Sequence, residues 1–213
     1  MTFVTLKKEN RMLQYGMKQR TPERMEKIRR VAAVRQSGVV IIEDVVDPHN
    51  AEAAIRSCDA FGIQTVWFIF DTAPRFNPAR VGRASSSSAN KWLDYRIFDS
   101  TELCIKTLQG EGYQVIATVL DEGSESLYEA DLLHPKPALL FGNEARGLSE
   151  KAIQLADRKL IIPMTGFVQS LNLSVTCSIF LFELNRQRRV AGLDRFLLPA
   201  AVRQGIAESF SER

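Results

Sequence analysis

The sequence predicts an α/β fold in which a mostly parallel sheet is flanked by helices. Short apolar runs rich in Val and Ile alternate along the chain with longer segments that have helical spacing. These runs are almost continuously apolar, which is typical of strands that are buried on both faces. Strands that alternate with helices indicate crossover connections, and the resulting parallel sheet places ligands at the carboxyl ends of its strands.

The first predicted helix begins at Thr21, because this capping residue is followed by Pro22 at the first helical position and by the acidic Glu23. It should run to about residue 35, where a Ser-Gly pair ends it. Strands and helices then alternate, with one unusually long loop after the second strand. In order, the later elements are the strand VVIIED, the helix NAEAAIRSCDAFG, the strands TVWFIF and YRIF, the helix STELCIKTLQGEG, the strands YQVIATVL and PALLFG, the helix SEKAIQLAD, the strand KLIIP, a long helix over residues 171–189 and a last helix near residues 199–210.

Composition excludes several classes of protein. With 213 residues, of which 45% are hydrophobic, the chain is long enough for one good core. The longest apolar-leaning stretch, residues 171–182, is too short and too polar to span a membrane, and charged residues near the N-terminus argue against a signal peptide. Three cysteines without paired spacing and two distant histidines predict free thiols, no metal site and a cytoplasmic location.

Charge is distributed unevenly along the chain. Residues 1–36 hold ten Lys and Arg against three acidic residues, residues 37–185 hold twelve against nineteen, and residues 186–213 hold six against three. Basic ends on an acidic body are typical of extensions that bind a polyanion, although solvated helix faces would give the same pattern. We therefore expect three parts: a basic N-terminal extension (residues 1–36), a central α/β domain (residues 37–190) and a helical tail (residues 191–213).

Polar residues follow three of the predicted strands. In the first of these segments, DPHNAEAAIRSCDAFG, Asn50 can cap the helix that follows, and Arg56 lies on that helix. Taken alone, the segment is explained by this cap and by a surface pair between Glu52 and Arg56. Neither a Gly-x-Gly-x-x-Gly motif nor a phosphate-binding P-loop occurs, so a nucleotide-like ligand would have to bind in another way.

The second segment, FGNEARGLSE, begins at a strand end. Gly142 allows a neighbouring group to approach the backbone there, Gly147 permits a left-handed turn, and Ser149 caps the next helix. The simpler interpretation is a surface loop in which the side chains of Glu144 and Arg146 are only solvated.

The third segment, IPMTGFVQSLNLSVTCSIFLFE, joins a turn to a very apolar helix. Its turn contains Pro163 and Gly166, and its junction with the helix contains Ser170 and Asn172. By itself this arrangement is explained if Ser170 is only the N-cap of the helix and Asn172 only a polar residue in its first turn. Polar groups beside an apolar helix are also what a ligand pocket with the helix as its wall requires.

Together the three segments resemble a known family. HNAEAAIRSCDAFG, FGNEARGLSE and IPMTGFVQSLNLSVTCSIFLFE match, in order and spacing, the three motifs of the SpoU/TrmH-like branch of the SPOUT methyltransferases. The resemblance extends over residues 21–192 and includes NPARVGRASSSSANKW in the long loop. The basic helix before the first strand and ELNRQRRVAGL after the last motif look most like the family members that methylate the ribose 2′-hydroxyl of guanosine 18 in the tRNA D-loop.

The resemblance implies a SPOUT fold with a deep trefoil knot in the C-terminal part of the domain, and a homodimer with the active site at its interface. It also implies S-adenosylmethionine as the methyl donor, with S-adenosylhomocysteine as the product and no metal. Backbone groups of the loops would hold the bent cofactor in a tight, largely dry pocket. The implied cofactor-binding residues are Thr118, Leu140, Gly142, Ile162, Met164 and Leu171.

The same resemblance implies that Arg56 is the catalytic residue. The implied residues around the methyl donor and the ribose are Asn50, Glu144, Ser170 and Asn172. Because a guanidinium stays protonated in proteins, we expect Arg56 to clamp the RNA phosphate, orient the 2′-hydroxyl and stabilise the developing alkoxide rather than accept a proton.

We expect RNA to contact basic residues in the first helix, the long loop and the end of the long helix. These residues are Lys27, Arg29, Arg30, Arg75, Arg80, Arg83, Lys91, Arg186, Arg188 and Arg189. Such phosphate contacts give salt-sensitive affinity without sequence information. The alternative functions are 2′-O-methylation of another RNA, such as rRNA or another tRNA position, and RNA binding by a knotted protein without catalysis.

Overall fold

The computed structural model describes residues 21–80, 89–121 and 123–213 of the chain, and these residues divide into two compact units. The larger unit, Arg35–Leu198, contains a parallel sheet with helices on both faces. The smaller unit combines residues 21–34 with Pro199–Arg213, and each of these two segments forms a helix. The α/β fold with a parallel sheet, predicted from the alternation of strands and helices, is confirmed.

Seven strands of the described residues form one sheet. They are β1 (Gln36–Glu43), β2 (Ile63–Ile69), β3 (Asp94–Phe98), β4 (Gln114–Thr118), β5 (Glu125–Ser126), β6 (Pro137–Phe141) and β7 (Arg158–Ile161). Their order is β3-β2-β1-β6-β4-β7-β5, and all neighbouring strands are parallel. The central strand β1 therefore lies between β2, which follows it in sequence, and β6, which comes much later. Ligands of parallel sheets bind beyond the carboxyl ends of strands at such a change in order.

Helices of the larger unit cover both faces of this sheet. They are α2 (Pro48–Ala60), α3 (Thr101–Gly110), α4 (Glu150–Leu155) and α5 (Leu173–Val190), whereas α1 (Pro22–Ala33) and α6 (Ala200–Glu212) form the smaller unit. Successive side chains of β1 point to opposite faces, so Val40 and Ile42 pack with α2 and α5, while Val39 and Ile41 pack with α3 and α4. Each fully buried aliphatic side chain contributes about 1.5–3 kcal/mol, so the apolar run of β1 stabilises both layers of the core.

Small side chains let α5 pack closely on α2. Cys58 of α2 and Cys177 of α5 are completely buried, and the Oγ atoms of Ser57 and Ser178 lie 2.7 Å apart. Because bulky side chains at these positions would force the two helix axes apart, this pairing depends on residues of this size. The close packing fixes the N-terminal ends of both helices next to the carboxyl ends of the strands.

The first helix begins as predicted but ends earlier. Thr21 caps the N-terminus of α1 through its side chain. At the other end, the carbonyl of Ala33 accepts a hydrogen bond of 2.6 Å from Arg203 of α6. The prediction that this helix reaches residue 35 was wrong, because Arg35 belongs to the larger unit, where its buried side chain forms a 2.5 Å ion pair with Asp59.

Several short elements were not predicted from the sequence. They are the two-residue strand β5 and the 3-10 turns Pro78–Arg80, Ala89–Lys91 and Leu193–Phe196. Among the described helices, none combines the length and the apolarity needed to cross a bilayer. The described residues also contain no group of three or more His, Cys, Asp or Glu side chains that could hold a metal ion.

Candidate active site

A cavity of about 320 Å³ lies beyond the carboxyl ends of β4, β6 and β7. Five of the six residues that were predicted to bind the cofactor line it: Thr118, Gly142, Ile162, Met164 and Leu171. The sixth, Leu140, does not reach it, because its side chain is completely buried in the core. Its carbonyl oxygen accepts a 3.0 Å hydrogen bond from the Thr118 hydroxyl and so fixes that side chain at the cavity wall.

One wall of the cavity is the loop of residues 143–147, which closes tightly on itself. The amide of Asn143 donates to the carbonyl of Gly147 at 3.0 Å, and the amide of Gly147 donates back at 2.9 Å. A Cβ atom on Gly142 would lie less than 3.0 Å from backbone atoms of Gly147 and Leu148. The close approach predicted at Gly142 is therefore made by the backbone of the chain itself, and no larger residue can occupy this position without moving the loop.

Three of the predicted site residues form a hydrogen-bonded chain that meets the cavity at Glu144, which lines it. Asn50 Nδ2 donates to Glu144 Oε1 at 2.9 Å, and Asn172 Nδ2 donates to Asn50 Oδ1 at 2.9 Å. The side chain of Glu144 is further held by the amide of Val46, at 3.4 Å. The structure thus brings together residues that are separated by 94 and 122 positions in sequence, and we call Asn50, Glu144 and Asn172 the polar cluster.

The caps of α2 and α5 explain why these amides are available. Asp47 caps α2 by accepting a 2.9 Å hydrogen bond from the amide of His49, so the prediction that Asn50 caps this helix was wrong. The side chain of Asn50 is instead free to join the polar cluster. Asn172, and not Ser170, is the N-cap of α5: its Oδ1 accepts from the amide of Ser174 at 2.8 Å, while its Nδ2 donates to Asn50.

The remaining predicted site residues lie outside the polar cluster. Ser170 is exposed and lines the same cavity. Arg56 is exposed on α2, six residues after Asn50, which places the two side chains about 120° apart around the helix. Within the described residues, Arg56 forms no hydrogen bond or ion pair, so the alternative of a surface pair with Glu52 is not supported. The guanidinium is available to an external anion.

Asp44, which was not among the predicted site residues, contacts Asn143 and Arg146 of the loop that carries Glu144. It follows β1 and has a positive φ of 51°, which is rare for a residue other than glycine. Burial opposes ionisation of this carboxyl group, but hydrogen bonds from Ala73 and Thr72, together with the charge of Arg146, outweigh burial and hold its pKa below the ordinary value. The only sequence signal was a pair of acidic residues at the end of an apolar strand.

Most of the predicted RNA-binding side chains are exposed where the structure describes them. The exposed residues are Lys27, Arg29, Arg30, Arg75, Lys91, Arg186 and Arg189. The side chain of Arg80 and the whole of Arg83 lie outside the described part of the chain. Among these exposed cations, Arg186 is paired with Glu183 at 2.7 Å, Arg29 with Glu26 at 3.4 Å, and Arg189 donates to Asn185 Oδ1 at 2.7 Å.

The prediction that Arg188 contacts RNA is not supported, because the side chain of Arg188 is completely buried. It donates to the carbonyl of Ser37 at 2.8 Å and lies over the ring of Phe196, and burial lowers its pKa to about 10. Helical periodicity indicates this burial, since residue 188 continues the buried stripe of α5 that includes Cys177, Leu181 and Leu184.

Comparison with known proteins agrees with this geometry. A profile described as the SpoU rRNA Methylase family matches residues 37–182. A tRNA (guanosine(18)-2′-O)-methyltransferase of Thermus thermophilus is 39% identical over 180 residues, which are 83% of this chain and 89% of that protein. Among solved structures, the A. aeolicus TrmH/SpoU tRNA modifying enzyme superimposes with a TM-score of 0.77 at 30% identity, over 89% of this chain and 95% of that one.

A second structure in this comparison contains a cofactor. The SpoU methyltransferase AviRb from Streptomyces viridochromogenes, solved in complex with AdoMet, has a TM-score of 0.63 at 27% identity and covers 73% of this chain and 60% of that one. The family profile spans more than half of the chain and contains the cavity and the polar cluster. This chain is therefore a member of the SpoU methylase family.

Proposed function

We propose that this protein transfers a methyl group from S-adenosylmethionine to the ribose 2′-hydroxyl of guanosine 18 in tRNA and releases S-adenosylhomocysteine. The observation that carries the proposal is the polar cluster, which meets a cavity of about 320 Å³ at Glu144 and is built from the three segments that resemble the family motifs. The tRNA-modifying relatives support tRNA as the substrate, and AviRb supports the cofactor.

The residues of the cavity fit this cofactor. Adenine and a sulfonium centre need an enclosed, mainly apolar site with a few directed polar groups. Ile162, Met164 and Leu171 supply the apolar wall, while the Thr118 hydroxyl and the backbone at Gly142 lie at strand ends. When bound, the cofactor supplies an electrophilic methyl group. The chain therefore has to position a ribose oxygen in line with that methyl group and exclude water.

We assign the handling of the ribose to the polar cluster and to Arg56. Asn172 and Asn50 hold each other and Glu144 in one geometry, so an incoming ribose meets oriented amide and carboxylate groups instead of mobile side chains. Arg56 remains protonated and therefore acts as a cation: it clamps the phosphate beside the ribose and stabilises negative charge on the 2′-oxygen. The proton that the 2′-hydroxyl loses on methylation passes to the carboxylate of Glu144, the one acidic group of the polar cluster.

The proposal includes a trefoil knot, a homodimer and a cytoplasmic location. Exposed apolar side chains support the homodimer: Phe167 and Val168 precede α5, and Val175 and Phe182 lie seven residues apart on that helix. The resemblance in the three motifs supports the knot. All three cysteines are free and buried, which supports a reducing compartment.

Labelled methyl donor and purified tRNA test the proposed function directly. We expect one methyl group per tRNA, mapped to the 2′-oxygen of guanosine 18, because the cluster positions a ribose hydroxyl and not a base. A tRNA with 2′-deoxyguanosine at position 18 is the matched control and should accept no methyl group. Labelling of ribosomal RNA alone would replace this function by the rRNA alternative, and cofactor binding without labelling of any RNA would indicate a protein without catalysis.

Salt dependence of tRNA binding tests the assigned RNA-binding cations. Replacing both Arg186 and Arg189 by glutamine should weaken binding and reduce the slope of log K against log salt by roughly one for each phosphate contact that is lost. Filter binding over a range of salt concentrations measures this slope. The matched control is Arg96→Gln, which removes an exposed arginine from β3 outside the predicted set. Equal slopes for wild type and the double variant would remove these arginines from the RNA interface.

A further inference from the structure

Asp44 joins three strand-end loops, and all of its polar groups are engaged. Its amide donates to the carbonyl of Ile69 at 2.8 Å, and its carbonyl accepts from Asn143 Nδ2 at 2.7 Å. Oδ1 accepts from the amides of Thr72 and Ala73, both at 3.0 Å. Oδ2 accepts from the Thr72 hydroxyl and from Arg146. Asp44 thus connects the end of β1 to the loop after β2 and to the loop after β6.

Arg146 is the second half of this connection. Its guanidinium donates to Asp44 and to the hydroxyl of Thr72. Arg146 belongs to the loop of residues 143–147, which forms a wall of the cavity, and so does Glu144 of the polar cluster. The side chain of Asp44 is only 3% exposed, whereas that of Arg146 is 51% exposed. The ion pair therefore connects a half-exposed side chain of the loop of residues 143–147 to the buried carboxylate of Asp44.

We infer that Asp44 and Arg146 are positioning residues, which hold the loop of residues 143–147 so that Glu144 reaches Asn50. This inference rests on the proposed function, because Glu144 and Asn50 are assigned there to the ribose. The path is continuous: Asp44 binds Arg146 and Asn143 on either side of Glu144, and Glu144 binds Asn50. Neither Asp44 nor Arg146 belongs to the polar cluster. Arg146 also lines the cavity, but its guanidinium is engaged by Asp44 and Thr72, so both residues act through Glu144.

The preceding residue, Glu43, shows that this role is specific to Asp44. The carboxylate of Glu43 accepts hydrogen bonds from Thr101 at 2.6 Å and from the amide and hydroxyl of Ser149, both at 2.8 Å. These contacts hold the N-terminal ends of α3 and α4, which cover the opposite face of the sheet from α2 and α5. Two consecutive carboxylates therefore hold different parts of the molecule, Glu43 the supporting helices and Asp44 the loop of the site.

Variants with small changes in shape can separate positioning from folding. Asp44→Asn keeps a residue type that tolerates positive φ but removes the charge and an acceptor. Arg146→Gln removes the cation from a half-exposed position and leaves the core untouched. Because both variants break the same connection, the double variant should resemble the single ones instead of combining their effects. Arg146→Lys retains a cation, and partial rescue by it would indicate a charge-dependent hold on the loop.

Three measurements on the full-length protein test the inference: the turnover number with saturating tRNA and cofactor, the cofactor Kd, and hydrogen exchange of peptides covering residues 142–149. We expect each single variant and the double variant to lower kcat roughly tenfold, which is about 1.4 kcal/mol. Because the loop also forms a wall of the cavity, the cofactor Kd should rise as well. The turnover number is measured at saturating cofactor, so its tenfold loss reports the placement of Glu144 and not cofactor affinity. Exchange should accelerate in residues 142–149 but not in α3. The control Arg96→Gln loses an ion pair with Glu111 at the end of α3, so it is compared by kcat and cofactor Kd, in which it should match wild type.

The outcomes separate this inference from the proposed function. A wild-type protein that methylates no RNA would reject the proposed function, and faster exchange confined to residues 142–149 would still support the hold on the loop. Active wild type with unchanged kcat and unchanged exchange in both single variants would overturn the inference. If Asp44→Asn fails to fold, Arg146→Gln decides the question alone, because its side chain is half exposed. Multiplied losses in the double variant would also overturn it.

Discussion

Replacing Arg56 by alanine is expected to abolish methyl transfer while leaving cofactor affinity almost unchanged. The side chain of Arg56 is exposed, forms no hydrogen bond or ion pair with the described residues and does not line the cavity. Its removal therefore disturbs neither the fold nor the cofactor site. Loss of one preorganised group that stabilises developing negative charge commonly lowers kcat by about 10²–10³, and we expect a loss of at least this size.

Two measurements test Arg56→Ala: cofactor titration by calorimetry and single-turnover transfer to tRNA at saturating RNA. Arg56→Lys is the informative companion variant, because lysine keeps the charge but cannot form the bidentate phosphate contact of a guanidinium. It should retain only part of the activity. Turnover of Arg56→Ala within a few fold of wild type would remove this residue from the chemistry, and the polar cluster would then have to act without it.

The layered fold could be predicted because its signals are local. Apolar runs such as that of β1 mark strands buried on two faces, and capping residues such as Thr21 and Ser149 mark the starts of helices. The two-residue strand β5 has no such signal, because it exists only through its pairing with β7. The end of α1 was misjudged for a similar reason: Arg35 pairs with Asp59, which is 24 residues away, and that partner is not visible in a local pattern.

The candidate site was only partly predicted from the sequence. Resemblance in the three segments located the cavity and the members of the polar cluster. It did not indicate the contacts between these members, because those contacts connect residues 94 and 122 positions apart. Asp44 was missed, since an acidic residue after a strand is ordinary in sequence and becomes distinctive only through its left-handed backbone and its hydrogen bonds with Thr72, Asn143 and Arg146.

The second large effect is expected from Gly142→Ala, which should remove cofactor binding together with methyl transfer. An added methyl group would lie less than 3.0 Å from backbone atoms of Gly147 and Leu148, and a backbone cannot rotate away as a side chain can. The loop of residues 143–147 must then move, taking with it one cavity wall and Glu144. We expect the cofactor Kd to rise at least about 100-fold and the unfolding free energy to fall by roughly 1–3 kcal/mol, which is typical of overpacking.

The control for Gly142→Ala is Gly110→Ala in α3, where an added Cβ meets no atom within 4 Å. It should bind the cofactor and transfer methyl groups as wild type does, so any loss in Gly142→Ala reports the collision and not glycine replacement in general. Arg56→Ala and Gly142→Ala separate two parts of the site. Arg56→Ala should fail only when RNA is added, whereas Gly142→Ala should already fail with the cofactor alone. Normal cofactor affinity in Gly142→Ala would mean that the loop of residues 143–147 can shift without cost and is not a wall of the cofactor site.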